Sequence, residues 1–326
     1  MDLSLNDLQR QILDSVNRIL ERRADPHRTR ALLEAGKYDD ELHADLAEAG
    51  FLELIAAGAG PLEAALVCER VARAAGLVAT TATGLVYPMI TGETAPGPVA
   101  LANGARTPFR MGQHASVILI LQGDDALRLT PRPGDVEPVD NDRTGWPLAR
   151  LKPEALQRAE RVGPGARLLD WWRTALAIEA AGAMRGALAT TVRYVTERVQ
   201  FGRPIGTFQA IQHRLGQLTV QAEGSYWLAM EAAFLDAEPR AAARAATWAT
   251  ATSPLLLRET QQMHGAMGFT REYPLHLWTM RLPALQRELG GLSSHARANA
   301  RLHVPTTPFS SAPVARASAP EEDVTA

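Results

Sequence analysis

The chain has 326 residues, 46% of them hydrophobic and 21% charged, enough to bury a sizeable core as one large or two modest domains. Its 34 Lys+Arg against 36 Asp+Glu leave a net charge of −2, so no overall field recruits nucleic acid or a membrane surface; any anion it binds must be held by local groups. No run nears the roughly 18 apolar residues of a membrane span, residues 1–11 are polar and amphipathic rather than signal-like, and the expected compartment is the cytoplasm.

Over residues 4–21, Leu5, Leu8, Ile12, Val16 and Ile19 fall three or four apart and share one helix face, with Ser4 or Asn6 as the starting cap. A shorter helix is expected over 39–48, a Gly-rich turn at Gly58 and Gly60, and a second long helix over 61–75. That helix carries the single cysteine, Cys68, among Leu62, Leu66, Val67 and Val71, which reads as a buried, inert thiol. The eight histidines show no metal-ligand spacing, so no metal site is expected.

From about 87 to 151 Pro and Gly recur and helical periodicity vanishes. The run Val117-Ile118-Leu119-Ile120-Leu121 reads as a strand, with a return over 127–130 across the Gly123-Asp124-Asp125 turn. Beyond this small β region the helical period resumes: Leu168, Trp172, Leu176, Ala180, Met184, Leu188, Val192 and Val195 lie at close to helical spacing. Phe208, Ile211, Leu215 and Leu218 begin another helix after a break from Gly202 to Gly206, and further helices are expected over 240–267 and 272–280. Long helices joined by short turns argue for a bundle. The segment 303–326, rich in Pro, Ser and Ala, reads as a disordered tail. The fold class is thus mainly α with a reduced central β region. It divides into an N-terminal helical domain (1–86), a small β domain (87–152), a C-terminal four-helix-bundle domain (153–302) and the tail.

Two segments go further. The first runs Glu197-Arg198-Val199-Gln200-Phe201-Gly202-Arg203-Pro204-Ile205-Gly206-Thr207-Phe208-Gln209-Ala210-Ile211-Gln212; the second runs Gln262-Met263-His264-Gly265-Ala266-Met267-Gly268-Phe269-Thr270-Arg271-Glu272-Tyr273-Pro274. Taken alone, Arg198 reads as a cation complementing the negative end of its helix, Phe201 as a core anchor, and Gly265 to Gly268 as a helix C-terminus. Together and in order, the two segments resemble the flavin-contacting segments of acyl-CoA dehydrogenases.

In that reading an Arg at a helix end offers several planar donors to the FAD pyrophosphate, Gln262 supplies an amide, and Gly265 and Gly268 let backbone approach a ligand. The resemblance implies FAD contacts by Arg198, Gln200, Phe201, Gln209, Gln262, Gly265 and Ala266. The family usually has Gly at the last of these, and His264 takes an orienting or packing role. The resemblance covers residues 1–302, sharply at 197–212 and 262–274 and weakly elsewhere. In the family, the β domain of one subunit holds the flavin ring while the ADP half reaches the C-terminal domain of the neighbouring subunit.

This chain has no match to the family's Thr-Glu-Pro-x-x-Gly-Ser-type loop, and its β region is short. It therefore looks like the shorter partner in actinobacterial-type α2β2 acyl-CoA dehydrogenases, whose substrates are often steroid side-chain CoA thioesters. The implied partners are a longer acyl-CoA dehydrogenase subunit, an acyl-CoA and an electron-transfer flavoprotein-type acceptor. Three functions follow: an active oxidoreductase component, a silent structural subunit completing its partner's cofactor site, or a homomeric flavoenzyme of a biosynthetic pathway.

Family members keep a catalytic Glu in one of two places, and neither holds a carboxylate in register here. The loop position falls near Gly290, with Glu288 two residues away, where Arg287 and Leu289 read as a helix start. The helix position falls at Trp172, with Asp170 two residues before it, about 200° around the helix. Arg173 matches a CoA-contacting Arg of some members. Trp172 is expected to fill the acyl-chain space and close this chain's pocket, leaving the base to the partner.

Overall fold

The computed structural model describes residues 4–140 and 144–303. The N-terminal part holds α1 (Asp7–Arg23), α2 (Pro26–Glu34), α3 (Asp40–Glu48), α4 (Pro61–Arg73) and, after a π-helical turn at Ala82–Val86, α5 (Tyr87–Thr91). The cap of α1 is Asn6, not Ser4: its side chain accepts from the Gln9 amide at 2.8 Å while Gln9 returns a carbonyl to the Asn6 N–H at 3.1 Å. The same Gln9 donates to Glu63, which accepts from Gly60 N–H at the start of α4, so two helix starts are tied together. Cys68 is buried on α4, and burial pushes its thiol up to about 12, which leaves it unreactive.

The β part is larger than the sequence suggested. Strands β1 (Val99–Asn103), β2 (Phe109–Arg110), β3 (Val117–Gln122), β4 (Asp125–Leu129), β5 (Val136–Val139), β6 (Leu148–Leu151) and β7 (Glu160–Pro164) form two sheets, ordered β1-β3-β4-β7 and β2-β6-β5. The expected hairpin is present, with Leu119 opposite Arg128 and Ile120 opposite Leu127. Two expectations need correction. α5 carries helix past residue 86, and β7 pairs with β4, so 160–164 belongs with the sheet rather than with the helices. Short strands of two to five residues, one beginning at a Glu and ending at a Pro, carry too little alternation to be read locally.

The C-terminal part is built on α6 (Gly165–Glu197), followed by a hairpin of β8 (Val199–Gln200) and β9 (Arg203–Pro204), then α7 (Gln209–Phe234), α8 (Pro239–His264), α9 (His276–Thr279), α10 (Arg281–Arg287) and α11 (Gly291–His303). Gly182 and Gly186 let α6 approach α4: an added Cβ at Gly182 would sit 2.7 Å from the Glu69 carbonyl oxygen. Inside α8, Pro254 cannot donate to the Thr250 carbonyl, and the freed oxygen accepts from Ser253 Oγ at 3.4 Å and Gln286 Nε2 at 3.5 Å instead. The helix expected over 272–280 shrinks to the single turn α9, since 270–275 are bends and turns around Pro274. The tail expectation for 303–326 lies, apart from His303, outside the described residues.

Candidate functional site

The first segment folds into a tight hairpin at the end of α6. Arg198 is the C-cap, and Val199 pairs with Pro204 and Gln200 with Arg203 across a two-residue turn of Phe201 and Gly202. Both turn residues have positive φ, 55° and 77°, as a type I′ turn requires. Phenylalanine is a costly choice there, and it leaves its ring 91% exposed. It meets the Phe208 ring edge-to-face, 6.2 Å between centroids, and Arg203 lies over the Phe208 ring at 4.1 Å. The core-anchor reading of Phe201 is therefore excluded.

The second segment lies beside this hairpin. Tyr194, one turn before Arg198, stacks on His264 at 4.2 Å and meets Tyr273 edge-on, while its hydroxyl donates to the His264 carbonyl. His264 is buried, its Nδ1 at 2.8 Å from the Thr260 carbonyl oxygen, in the packing role expected of it. Helix α8 stops at His264, short of the expected 267, because Gly265 adopts φ 59°, ψ −137°, a conformation that only glycine takes comfortably. Gly268 needs correction: it is buried against the Gln261 backbone, so its missing side chain serves the turn rather than a ligand.

The structure brings Arg198, Gln200, Phe201, Gln209, Gln262, Gly265 and Ala266 to one end of the bundle, all exposed. Among the described residues, the Arg198, Gln209 and Gln262 side chains have no hydrogen-bond or ion-pair partner, and Gln200 reaches only its neighbour's carbonyl. Gln209 opens α7, whose N-cap Phe208 offers no side-chain acceptor; the Ile211 and Gln212 amides donate to the Phe208 carbonyl, which leaves those of Gln209 and Ala210 without a backbone partner among the described residues. This is the donor set of an anion-binding surface. Among the described residues nothing covers it.

The candidate base residues lie elsewhere, around a cavity of about 390 Å³ where all three parts of the fold meet. Val78 and Ala82, Val99 and Leu101, Phe109 and Met111 supply apolar walls, and Arg110, Glu179 and Glu288 a polar end. Trp172 is part of the wall and leaves the space open, so the expectation of a closed pocket is corrected. Its indole Nε1 donates to Glu288 Oε2 at 2.9 Å, which means that the two alternative base positions converge in space.

Glu288 does not start a helix as expected. It lies in a turn between α10 and α11 in which Leu289, Gly290 and Gly291 have φ of 53°, 84° and 69°. Arg110 Nε donates to Glu288 Oε1 at 2.7 Å, and its Nη1 reaches Glu179. Burial raises the Glu288 carboxyl above its usual range; Arg110 opposes this and the Glu179 charge adds to it. Asp170 and Arg173 line no part of this cavity: they pair with each other at 3.1 Å, both buried, and burial raises the Asp170 carboxyl despite Arg173. The helical rotation separating Asp170 from Trp172 accounts for this.

Sequence reasoning missed Arg110, Glu179 and Arg281. Arg281 is fully buried and donates to the carbonyls of Ala75, Gly76 and Gly145, closing off the negative end of α4, and burial lowers it to about 9. The Arg110 and Arg281 guanidinium groups both lie over the Trp146 ring, at 4.4 and 5.0 Å from its centroid. A lone Glu179 amid Leu176-Ala177-Ile178 and Ala180-Ala181 was the available signal. Among the described residues no three His, Cys, Asp or Glu side chains are grouped to hold a metal, and no helix is long and apolar enough to cross a membrane.

Comparison with known proteins places this architecture. The N-terminal domain of acyl-CoA dehydrogenase matches residues 6–93 and the C-terminal domain residues 166–298. Acyl-CoA dehydrogenase IpdE2 of Mycobacterium tuberculosis is 29% identical over 293 residues, 84% of this chain and 90% of that protein. Acyl-CoA dehydrogenase FadE34 of the same organism is 35% identical over 162 residues, 48% of this chain and 23% of the relative. The solved Tcur3481-Tcur3483 steroid ACAD superposes with a TM-score of 0.76 at 25% identity, covering 92% of this chain and 98% of that one. With both domain matches in order around the β part and a full-length relative spanning nearly the whole chain, this protein belongs to the acyl-CoA dehydrogenase family.

Proposed function

We propose that this chain is the short subunit of a cytoplasmic heteromeric acyl-CoA dehydrogenase, in which it completes the FAD site of a longer partner, an α2β2 assembly. The partner supplies the catalytic base, and the implied electron acceptor is of the electron-transfer flavoprotein type. The single observation that carries this is the exposed end of the bundle: Phe201 stands 91% exposed on a positive-φ turn beside unpartnered Arg198, Gln209 and Gln262. A residue strained into solvent beside free donors is the form of a half-site finished by another chain.

The residues present fit the ADP half of FAD. Arg198 offers a planar fork of donors to a pyrophosphate, the first amides of α7 add to it, Gln262 offers both a donor and an acceptor, and Phe201 supplies an apolar face. When bound, FAD accepts the β hydride of the acyl thioester as a base removes the α proton. This chain's contribution is to hold the cofactor's distal half and to exclude water from it. The relatives named IpdE2 and steroid ACAD direct the choice of substrate toward a steroid-derived CoA thioester.

The silent-subunit reading is favoured by one further observation, the engagement of Glu288 by both Arg110 and Trp172. Dehydrogenation by the assembled complex carrying Glu288→Gln or Asp170→Asn tests where the base resides. A rate within about twofold of the parent is expected; a fall of roughly a thousandfold with flavin retained, the order seen when a general base is lost, would place the chemistry in this chain.

A further inference from the structure

The polar end of the cavity is built as a clamp. Arg110 turns Nε and Nη2 toward Glu288, at 2.7 and 3.5 Å, and Nη1 toward Glu179. The second Glu288 oxygen takes the Trp172 indole N–H. All three charged side chains are largely buried, 19%, 15% and 17% exposed for Arg110, Glu179 and Glu288. The guanidinium cannot swing away easily, because it lies over the Trp146 ring.

The backbone on both sides of the clamp is strained. Met111, directly after Arg110, has φ 60°, and Leu289, directly after Glu288, has φ 53°. Neither is a glycine, and two such residues flanking one ion pair are tolerated only where the surroundings fix them. The Met111 N–H is held by the Pro147 carbonyl at 2.9 Å, which pins the strand end from which Arg110 projects.

We propose that Arg110 is a positioning residue that clamps Glu288 as its ion-pair partner and withholds it from proton transfer, so that a cavity large enough to admit an acyl group stays chemically inert in this chain. A general base needs a free oxygen aimed at its proton, and taking that proton here would sacrifice the pairing with Arg110. Without the cation, burial and the neighbouring Glu179 charge would carry the carboxyl further up. The proposal rests on the reading that the partner supplies the base, and explains how this chain's nearest carboxylate is kept from competing.

Residue-resolved labelling of carboxyls in the assembled complex, with a water-soluble carbodiimide and an amine across a pH series, reads the clamp directly, since activation consumes the carboxyl's proton: it passes to the reagent as the carboxylate oxygen adds to the carbodiimide carbon, and the amine then displaces the urea. With Arg110→Gln the Glu288 labelling profile moves to higher pH, and the labelling rate at neutral pH rises about tenfold for every pH unit the profile travels. With Glu179→Gln it moves the other way, because a like charge is gone and the guanidinium belongs to Glu288 alone. Exposed carboxyls such as Glu34 stay unchanged and serve as the internal reference. Movements of opposite sign in the two variants support the clamp, as general loosening would move both the same way. An unmoved Glu288 profile, or two movements of one sign, overturns it, and if Arg110→Gln fails to fold, Glu179→Gln decides alone. The dehydrogenation rate of the same samples is a separate readout. Loss of turnover with flavin retained, alongside opposite movements of the profile, would leave the ion pair standing but refute both the inertness of the cavity and the assignment of the base to the partner.

Discussion

The two ends of α6 solve opposite problems with the same kinds of residue. Near its start, Trp172 and Glu179 face a cavity whose buried charges are paired within the chain, Arg110 with the carboxylates of Glu179 and Glu288, while Arg287 at its edge stays exposed. At its other end, about 40 Å along the axis, Arg198 and the hairpin beyond it face solvent with side-chain donors unused. Polar groups satisfied from within describe a finished interior. Polar groups and an aromatic ring left open describe a surface awaiting another molecule. The difference teaches where in this chain an external ligand is still needed.

Breaking the interior end should have the largest effect. Arg110→Ala leaves Glu179 and Glu288 facing each other without their cation, and unfolding free energy should fall by about 3 kcal/mol, the low end for a broken buried pair because each side chain keeps some exposure. Denaturant titration measures it; a loss under about 1 kcal/mol, as for a surface pair, would mean that the cluster is well solvated.

At the open end, Arg198→Ala should leave the stability of the chain unchanged while weakening flavin retention by the co-expressed complex by about 1.5–3 kcal/mol, one charge-assisted contact. Flavin release on dilution measures this, and unchanged retention would remove Arg198 from the cofactor site.

A pH change acts on buried histidines in both regions. His295 is fully buried on α11, and burial together with the nearby Arg173 lowers it from 6.5 to about 4. The unfolded chain takes up this proton as pH falls through 6.5 while the folded chain does not until about 4, so stability is lost across that window and not above it. His43, His264 and His276, also lowered by burial, act in the same direction. The melting temperature should drop between about pH 7 and pH 5, and drop less in His295→Gln; equal drops would show that His295 is protonated in the fold.

The smallest effect is the most discriminating. Phe201→Gly relieves the positive-φ strain and removes an exposed ring, so the isolated chain should gain about 1 kcal/mol while the complex holds flavin less well. Stabilisation of both would make the turn a mere flaw.

The open end was legible in the sequence and the interior was not, for a physical reason. The order of Arg198, Gln200, Phe201 and Gly202 and the run from Gln262 to Gly268 are local, and their hairpin and helix-end geometry follow from neighbouring residues. The long helices were equally readable from spacing and, at Asn6, from the cap. Arg110 meets Glu179 and Glu288 across 69 and 178 residues of sequence, and no short window carries such a pairing. Strands as short as Phe109–Arg110 give no alternation to read, which is why only the β3–β4 hairpin was legible and Arg110, which the β part aims into the cavity, escaped notice.

Flavin content tests the central claim most directly. Purified alone, the chain should carry far less than one FAD per subunit; co-expressed with a longer acyl-CoA dehydrogenase subunit, it should yield a yellow complex that Arg198→Ala bleaches. One tightly held flavin per subunit in the lone chain would contradict the account, because the open end of α6 would then be completed by a second copy of the same chain.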